Sequence, residues 1–406
     1  MALVTRRNTK KTLKPGSPFS MTTSCYPLRA LYHAYKDDWE IQGIPNLEVS
    51  SSPKVHQTEH PSLSKSARRS QFTVAIFCAL TLEADAVNEV FEEIWDEEHE
   101  NYGRAAGDHN TYTLGKIFRH NVVLVHMAGM GKGAASQAAS SIRFSYPEIK
   151  LALVVGICGG VPSYLDGKDD IILGDVMISD GIVQYDFGRQ FPDTFLSKAG
   201  PEVVARPRPE IRGMLAKLKG MQGQKRLETK LCQYLRVLQD RLGPKRAGYP
   251  GIDKDELFCS TYQHKHRNRA ACKICSACGG GTESVCKEAR ELTCQQLGCQ
   301  KGLLVPRKRL QEASMRGRPP EAKVRFGFVG SGDTVMKSGQ HRDEIATRHN
   351  LIALEMEASG VWDNLPCLVI KGVCDYADSH KNKYWQNYAA ATAAACMKAV
   401  LEEYVV

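Results

Sequence analysis

The chain has 406 residues, of which 42% are hydrophobic, and this is enough to bury the core of one large α/β domain with an insert or of two to three domains. No run of about 18 apolar residues occurs, which excludes an ordinary transmembrane helix. The first residues lack the apolar stretch of a secretory signal. They are basic and rich in Ser and Thr, as a transit peptide would be. We expect a cytoplasmic location, with a mitochondrial or nuclear location as the alternatives.

The net charge of +9 is spread unevenly along the chain. Basic residues are concentrated in residues 1–70 and 206–320, whereas residues 71–205 are acidic. Residues 1–70 keep no hydrophobic period and contain clusters of Pro, Gly and Ser, so we predict a disordered basic tail. The basic central segment either meets phosphate groups or forms a solvated surface, and composition alone does not decide between them. We expect no nucleic-acid partner and no membrane partner.

The first ordered element is predicted at residues 72–80, where β-branched and aromatic residues form a buried strand. A helix is predicted to run from Glu83 toward Trp95, because apolar residues recur along one face. Glu83 lies in the first turn of this helix, directly after the strand. Acids are favoured there by the helix dipole, so Glu83 is either a capping residue or a functional group at a strand end.

The following elements continue an alternation of strands and helices. Residues 111–127 form a predicted strand pair, glycines at 129–133 precede an Ala- and Ser-rich helix, and a buried strand at 151–161 ends in glycines. These glycines either let backbone N–H groups approach an anion or let a helix pack closely on the sheet. Continuous apolar strands indicate a mostly parallel sheet. We therefore predict one α/β domain in two parts, residues 71–205 and 321–406.

Residues 206–320 interrupt this alternation as a predicted insert. Leucines at helical spacing in its first half predict one or two amphipathic helices. Its second half holds seven of the 14 cysteines of the chain. The insert is therefore expected to be helical at its start and Cys-rich at its end.

Metal binding is favoured over disulfides for these cysteines, because no secretory signal is recognised. Cys272, Cys275 and Cys278 follow a spacing that turns thiolates toward one ion, and a closed zinc site needs four nitrogen or sulfur ligands. His264 is the predicted fourth ligand of this structural zinc. Three other residues would complete the set equally well: His266, Cys259 and Cys286. Free structural thiols are the competing interpretation.

The α/β pattern returns with a strand at 324–330 and closes with an apolar strand, residues 367–375, that ends on Asp375. A helix begins near Glu357, just upstream of that last strand. Ligands of open α/β sheets sit at the carboxyl ends of the strands, so Asp375 lies where chemistry is usually done. Two carboxylates at one pocket would divide the work, one binding hydroxyls and the other handling a proton. A solvated Glu357 and an N-capping Asp375 are the alternative.

Five motifs occur in the order seen in the purine nucleoside phosphorylase/uridine phosphorylase superfamily, which the chain therefore resembles. They are the first strand with Glu83, Gly156-x-x-Gly159-Gly160, Ser331-Gly332-Asp333, Met356-Glu357-Ala358 and Cys374-Asp375. The sequence looks most like the nucleosidase branch, typified by methylthioadenosine/S-adenosylhomocysteine nucleosidase. Residues 181–188 and 360–364 further resemble fungal nucleoside phosphorylase-like domains that are often fused to NTPase and repeat modules. The resemblance covers about 72–200 and 322–406.

The resemblance implies a three-layer α/β/α fold with a mixed, partly barrel-like sheet, and the cleavage of a purine nucleoside at its N-glycosidic bond without a catalytic cofactor. It implies that Glu83 activates the attacking water and that Asp375 protonates the purine. Met356 and Glu357 would hold the ribose. Three residues would line the sugar end of the pocket: Gly156, Cys158 and Gly159. A homo-oligomer is also expected by resemblance.

Two departures from the family pattern bear on the reaction. Phosphorylases of the family clamp phosphate with arginines, and residues 79–84 and 153–156 contain none, so water is the favoured nucleophile. Where the nucleosidases stack an aromatic ring on the base, this chain has Val335 and Met336. Phe187 would supply a replacement ring from another loop.

A hydrolase of purine nucleosides is thus the favoured prediction. A phosphorylase would need a phosphate site built from Lys132 or from the insert. A nucleotide sensor or interaction module would keep the pocket without catalysis. The basic insert would extend the substrate range to nucleotides such as ATP by meeting their phosphates.

Overall fold

The computed structural model describes residues 65–95, 102–162, 170–198, 204–268, 270, 272–279 and 283–405. Most of the predicted basic tail lies outside this range. Its last residues, Lys65–Arg69, form a helix rather than a disordered end. The Arg69 side chain donates hydrogen bonds of 2.8 Å to the backbone carbonyls of Ser145 and Tyr102, so order extends further upstream than the sequence indicated.

The strands follow the chain in the order β1 (Val74–Cys78), β2 (Glu93–Ile94), β3 (Thr111–Ile117), β4 (His120–His126), β5 (Leu151–Gly160), β6 (Val176–Gln184), β7 (Gly188–Gln190), β8 (Phe195–Ser197), β9 (Val204–Ala205), β10 (Val324–Ser331), β11 (Leu351–Glu355) and β12 (Cys367–Asp375). The helices are α1 (Lys65–Arg69), α2 (Thr81–Asn88), α3 (Lys132–Ser145), α4 (Pro209–Lys219), α5 (Met221–Leu242), α6 (Pro244–Ala247), α7 (Lys273–Ala277), α8 (Cys294–Leu297), α9 (Lys308–Met315), α10 (Gly339–His349), α11 (Ala358–Trp362) and α12 (Gln386–Glu403). Short 3₁₀ turns lie at Ile252–Lys254, Glu288–Arg290 and Lys301–Leu303.

Within the described residues, one mixed sheet of ten strands organises the domain, in the order β11-β10-β6-β12-β5-β1-β4-β3-β2, with β9 beside β6. β1 pairs in parallel with β4 and β5, and β5 pairs in parallel with β12. Strand β12 is buried along its whole length, as expected for a strand covered on both faces. The mixed sheet implied by the family resemblance is therefore confirmed, whereas the mostly parallel sheet indicated by the apolar strands is wrong, because β2, β3, β9 and part of β6 and β11 pair antiparallel.

Part of the sheet closes on itself. Strands β5, β12, β6, β10 and β11 follow one another, and β11 then pairs antiparallel with β5 through Ala353–Gly160 and Leu354–Gly159. This closed ring is the partly barrel-like feature that the family resemblance implies. It brings the ends of β5, β11 and β12 to one place.

Two groups of helices cover the sheet and give the α/β/α layering. α12 packs on β12, β5 and β6 and also contacts α2 and α5, whereas α11 packs on α3 and on the same strands. α12 is rich in alanine, a strong helix former with little bulk, and most of its residues are buried. A Cβ at Gly372 of β12 would lie only 2.0 Å from the carbonyl oxygen of Ala389, so glycine is required for this close approach.

The helix predicted from Glu83 toward Trp95 is shorter than expected. α2 ends at Asn88, and Glu93 and Ile94 pair instead with Lys116 and Gly115 of β3. Helical spacing of the apolar residues was therefore misleading beyond Asn88, because pairing with β3 outweighs local periodicity.

The helical half of the insert is part of the main core. The four leucines of α5 that face the core are fully buried or nearly so: Leu227, Leu231, Leu235 and Leu238. They lie at helical spacing on the face that packs against α12. The Cys-rich half has a small separate cluster of buried residues, namely Cys275, Cys286, Ala289 and Leu297.

A buried polar network joins the insert to the last strand. Arg307 donates to the Asp170 carboxylate at 2.5 Å and to the Tyr376 hydroxyl at 2.9 Å. The same hydroxyl donates to Asp255 at 2.6 Å. Since Tyr376 follows the end of β12 directly, two segments of the insert, at Asp255 and Arg307, contact the chain just beyond Asp375.

Within the described part of the chain, no helix combines the length and the apolar character needed to cross a membrane.

Replacing Leu231 by Ala should destabilise the whole domain by about 2–5 kcal/mol, because the substitution removes a fully buried side chain between α5 and α12. Urea unfolding followed by far-UV circular dichroism measures this. Val237→Ala, on the exposed face of the same helix, is the matched control and should change stability by less than about 0.5 kcal/mol. An unchanged Leu231→Ala midpoint would show that the insert helix is not part of the folding unit.

Candidate active site

The carboxyl ends of β1, β5, β11 and β12 converge on a cavity of about 340 Å³. This is the edge of a parallel sheet at which ligands of α/β proteins bind. Its polar lining includes four carboxylates, from Glu83, Glu355, Glu357 and Asp375. Three lysines also line it: Lys337, Lys381 and Lys383. Among the described residues, no part of the insert lines the cavity.

Glu83 is held by three backbone donors. One carboxylate oxygen accepts from Ala79 at 3.0 Å and Leu80 at 2.9 Å, and the other accepts from Ile157 of β5 at 2.8 Å. The bond to Leu80 is a helix cap, so the capping alternative describes part of the geometry. The bond to Ile157 and a 2% exposed side chain place the same carboxylate in the cavity wall.

The glycines of β5 make room for these carboxylates. A Cβ at Gly156 would lie 2.0 Å from a Glu83 carboxylate oxygen, and a Cβ at Gly159 would lie 3.1 Å from an Asp375 oxygen. Cys158 and Gly159 line the cavity, as predicted, whereas Gly156 is not among the lining residues. Because Gly156 has no side chain, it leaves space for the Glu83 carboxylate.

Sequence reasoning missed Lys371, the cation at the centre of the site. Lys371 lies on β12, is 1% exposed, and places Nζ 2.8 Å from one Glu357 oxygen and 3.6 Å from a Glu355 oxygen. Glu355, also missed, accepts from the backbone N–H groups of Glu357 and Ala358. A signal was present, because Lys371 is a lysine in an otherwise apolar strand, and a buried charge requires a partner.

The pKa values of this cluster are shifted in different directions. Burial raises the pKa of Glu83 and of Glu355, and the Lys371 ammonium opposes the rise in both. Burial also acts to raise the pKa of Glu357, but Lys371 outweighs it and the net shift is downward. The three carboxylates raise the pKa of Lys371 against the effect of burial. The ionised form of Glu357 is therefore favoured, and Glu83, with its raised pKa, is the more basic of the two carboxylates.

Asp375 ends β12, as the sequence indicated. One of its oxygens accepts from the backbone N–H of Ala377 at 2.8 Å, and the other lies 3.0 Å from Nζ of Lys381. Ala377 has φ = 52°, in the left-handed region that alanine rarely adopts. The chain after Asp375 is thus held in a turn that directs both donors at its carboxylate.

The predicted base-binding residues divide into two groups. Val335 and Met336 line the cavity, and Met130 and Met356 join them. Phe187 does not. It is 48% exposed at the start of the β7–β8 hairpin, with the Lys198 ammonium 5.3 Å from its ring centre. Among the described lining residues none is aromatic, so the replacement stacking ring predicted from Phe187 is wrong in this structure.

The four residues predicted to bind one zinc ion do not form one group in the structure, so this ligand set is wrong. Cys272 and Cys275 group with Cys286, not with Cys278. The Cys278 thiol donates instead to the Gln263 side chain at 2.9 Å. His264 belongs to a separate group with two later cysteines. Spacing along the chain therefore identified a cysteine pair but not its spatial partners.

Comparison with known proteins relates this chain to one family. Residues 73–233 match the family model described as the phosphorylase superfamily, which confirms the resemblance indicated by the ordered motifs. A nucleotide-binding leucine-rich repeat (NLR)-like protein of Hyaloscypha variabilis is 28% identical over 303 residues, covering 72% of this chain. The chain spans about a quarter of that relative, since only 26% of its length is matched.

Solved structures with a similar arrangement are distant in sequence. The 5'-methylthioadenosine/S-adenosylhomocysteine nucleosidase of Neisseria meningitidis, in complex with methylthio-immucillin-A, is 17% identical with a TM-score of 0.44 and covers 82% of this chain and 99% of its own. Futalosine hydrolase of Helicobacter pylori is 13% identical with a TM-score of 0.47 over 82% of this chain and 99% of its own.

Replacing Lys371 by Met should destabilise the protein by about 3–5 kcal/mol at about pH 8, because buried carboxylates lose their cation. The loss should be smaller at about pH 5. Protonation then neutralises these groups in the folded state, so the variant gains stability as the pH falls. Adding Glu357→Gln to Lys371→Met should recover part of the loss. Urea unfolding at both pH values measures these differences.

Lys116→Met, at an exposed strand position, is the control and should change stability by less than about 0.5 kcal/mol. Equal stability of Lys371→Met and the wild type at both pH values would contradict the charge balance described for this site.

Proposed function

We propose that the protein hydrolyses the N-glycosidic bond of purine nucleosides, releasing the free base and the sugar. The observation that carries the proposal is that Glu83, Glu357 and Asp375, which are distant in sequence, line one cavity at the strand ends. The match to the phosphorylase superfamily supports an enzyme acting on nucleosides.

Each carboxylate suits one part of this reaction. Glycoside cleavage passes through an oxocarbenium-like state with positive charge on the sugar. Glu357, whose ionised form Lys371 stabilises, would accept hydrogen bonds from the ribose hydroxyls and stabilise the positive charge on the sugar. Glu83, whose oxygens are fixed by backbone donors, would take a proton from water. The oxygen of that water would then bond to the anomeric carbon of the sugar. Asp375 would give a proton to the purine as the carbon–nitrogen bond breaks.

The proton balance closes over one turnover. Water supplies one proton to Glu83, and Asp375 gives one to the leaving base. Release of the Glu83 proton and uptake by Asp375, through solvent, restore the starting state. Lys381, 3.0 Å from Asp375, would stabilise the aspartate that remains after proton transfer.

Water is favoured over phosphate because the arginines that clamp phosphate in phosphorylases of the family have no counterpart at residues 79–84 and 153–156. Among the described lining residues none is an arginine. Lys132, which a phosphorylase would need, already contacts Asp186 at 2.6 Å and Asp333 at 3.6 Å. A phosphate dianion at Lys132 would therefore compete with two carboxylates.

The base would bind among methionines rather than against a ring. Met130, Met336 and Met356 line the cavity together with Val335. Thioethers are polarisable and make favourable contacts with aromatic rings, so they suit a purine without a stacking partner. Lys337, Lys381 and Lys383 would meet the phosphates if nucleotides such as ATP are substrates, since no described insert residue lines the cavity.

The test follows free-base release from adenosine, inosine, guanosine and ATP by chromatography, with and without phosphate. We expect release without phosphate, and a decrease of about 10²–10⁴-fold in Asp375→Asn, because the leaving base loses its proton donor. Asp363→Asn, at an exposed position after α11, is the matched control and should keep wild-type activity.

Release that depends on phosphate would replace hydrolysis by phosphorolysis. Binding of a nucleoside without release of base would overturn the enzymatic proposal and favour a nucleotide sensor, a role compatible with the NLR-like relative.

A further inference from the structure

Among its described residues, the Cys-rich half of the insert contains three groups of side chains that could bind a metal, and one of them (His266, Cys286 and Glu288) shares Cys286 with another. The first consists of Cys272, Cys275 and Cys286, whose sulfur atoms all lie within 4.8 Å of one another. The second consists of His264, Cys294 and Cys299, whose ligand atoms meet the same limit. In a tetrahedral site with zinc–sulfur bonds of about 2.3 Å, ligand atoms lie roughly 4 Å apart, so both groups have nearly the required spacing.

A histidine lies beside the first group. Atoms of His266, Cys286 and Glu288 lie within 4.8 Å of one another, and Nε2 of His266, 3.7 Å from a Glu288 oxygen, is buried without a hydrogen-bond partner. Backbone N–H groups of Cys275 and Ala289 point at the sulfurs of Cys272 and Cys286, at 3.5 and 3.4 Å. Such donors stabilise thiolates and orient them toward a metal.

A histidine of the α/β domain lies beside the second group. The ring centre of His380 is 5.0 Å from that of His264, and its side chain interacts with that of Cys299. Nε2 of His380 is buried and has no hydrogen-bond partner. A buried imidazole nitrogen without a partner is costly unless an ion or water binds it.

We propose that the insert binds two zinc ions, one through Cys272, Cys275, Cys286 and His266, and the other through Cys294, Cys299, His264 and His380. Thiolate and imidazole ligands in sets of four are those of closed structural zinc sites. The Cys-rich half buries few apolar residues, so metal ions would supply the stability that its small core lacks.

The second site joins the insert to the candidate active site. His380 lies five residues after Asp375 and immediately before Lys381, which contacts Asp375. The His380 ring also packs on Phe258 of the insert, at 4.3 Å between centroids. Zinc at this site would fix the segment 376–385, whose Ala377 holds an unfavourable backbone conformation.

Metal analysis of the purified full chain tests the stoichiometry. Elemental mass spectrometry should find about two zinc ions per chain in the wild type and about one in Cys286→Ser and in Cys299→Ser. Cys278→Ser and Cys259→Ser are matched controls inside the insert and should keep both. The zinc that remains in each single-site variant shows that the protein has folded.

Cobalt substitution keeps the proposal testable if a variant fails to fold. Wild-type protein reconstituted with Co²⁺ should show thiolate-to-cobalt charge-transfer and tetrahedral ligand-field bands. Hydrogen exchange in residues 376–385 should accelerate in Cys299→Ser but not in Cys286→Ser, because only the second site includes His380.

The proposal would be overturned if the wild-type protein contained no zinc or lacked the cobalt bands. It would also be overturned if the zinc content were unchanged in both Cys286→Ser and Cys299→Ser. Loss of zinc in Cys278→Ser with retention in Cys286→Ser would overturn this ligand assignment in favour of the consecutive-cysteine set. These readouts do not use catalysis, so they are independent of the proposed nucleosidase activity.

Discussion

The buried contact between Lys371 and Glu357 is the interaction on which the site depends. An isolated ammonium at this depth would be strongly disfavoured, and so would an isolated carboxylate. Together with Glu83 and Glu355 they form a cluster in which each charge depends on its neighbours. Because the four side chains come from β12, α2, β11 and the start of α11, the charge balance requires the folded arrangement of all four elements.

The sheet supplies that arrangement through closure and small residues. Pairing of β11 with β5 brings Glu355 beside the glycines of β5, and parallel pairing of β5 with β12 aligns Gly159 with Asp375. Glycine at position 156 leaves space for the Glu83 carboxylate. The alanine-rich α12 packs closely on β12 at Gly372, and the neighbouring Lys371 points to the opposite face of the strand, toward Glu355 and Glu357. The contacts that form the fold therefore also position the side chains of the site.

Several features follow directly from the sequence. Continuous apolar runs such as that of β12 can only be buried strands, and an acid at the end of such a run lies at the ligand-binding edge. The positions of Glu83, Glu357 and Asp375 at one cavity were predicted on this basis and on resemblance. Their catalytic roles stay predictions.

Other features depend on distance in space and not on distance in sequence. The partners of Lys371 come from three other elements, so no local pattern identifies them. Cys286, and not Cys278, lies beside Cys272 and Cys275, which the spacing of the cysteines along the chain does not reveal. The exposure of Phe187 depends on the short β7–β8 hairpin, whose exposed residues gave no periodic signal.

The central claim is that water, steered by Glu83, attacks the sugar. Hydrolysis of the best substrate in H₂¹⁸O, with mass spectrometry of the released sugar, tests it most directly. The account predicts that the ¹⁸O label appears at the anomeric oxygen in a single turnover, before exchange with solvent, and that Glu83→Gln slows its appearance. Sugar released at the wild-type rate without the label would contradict attack by water.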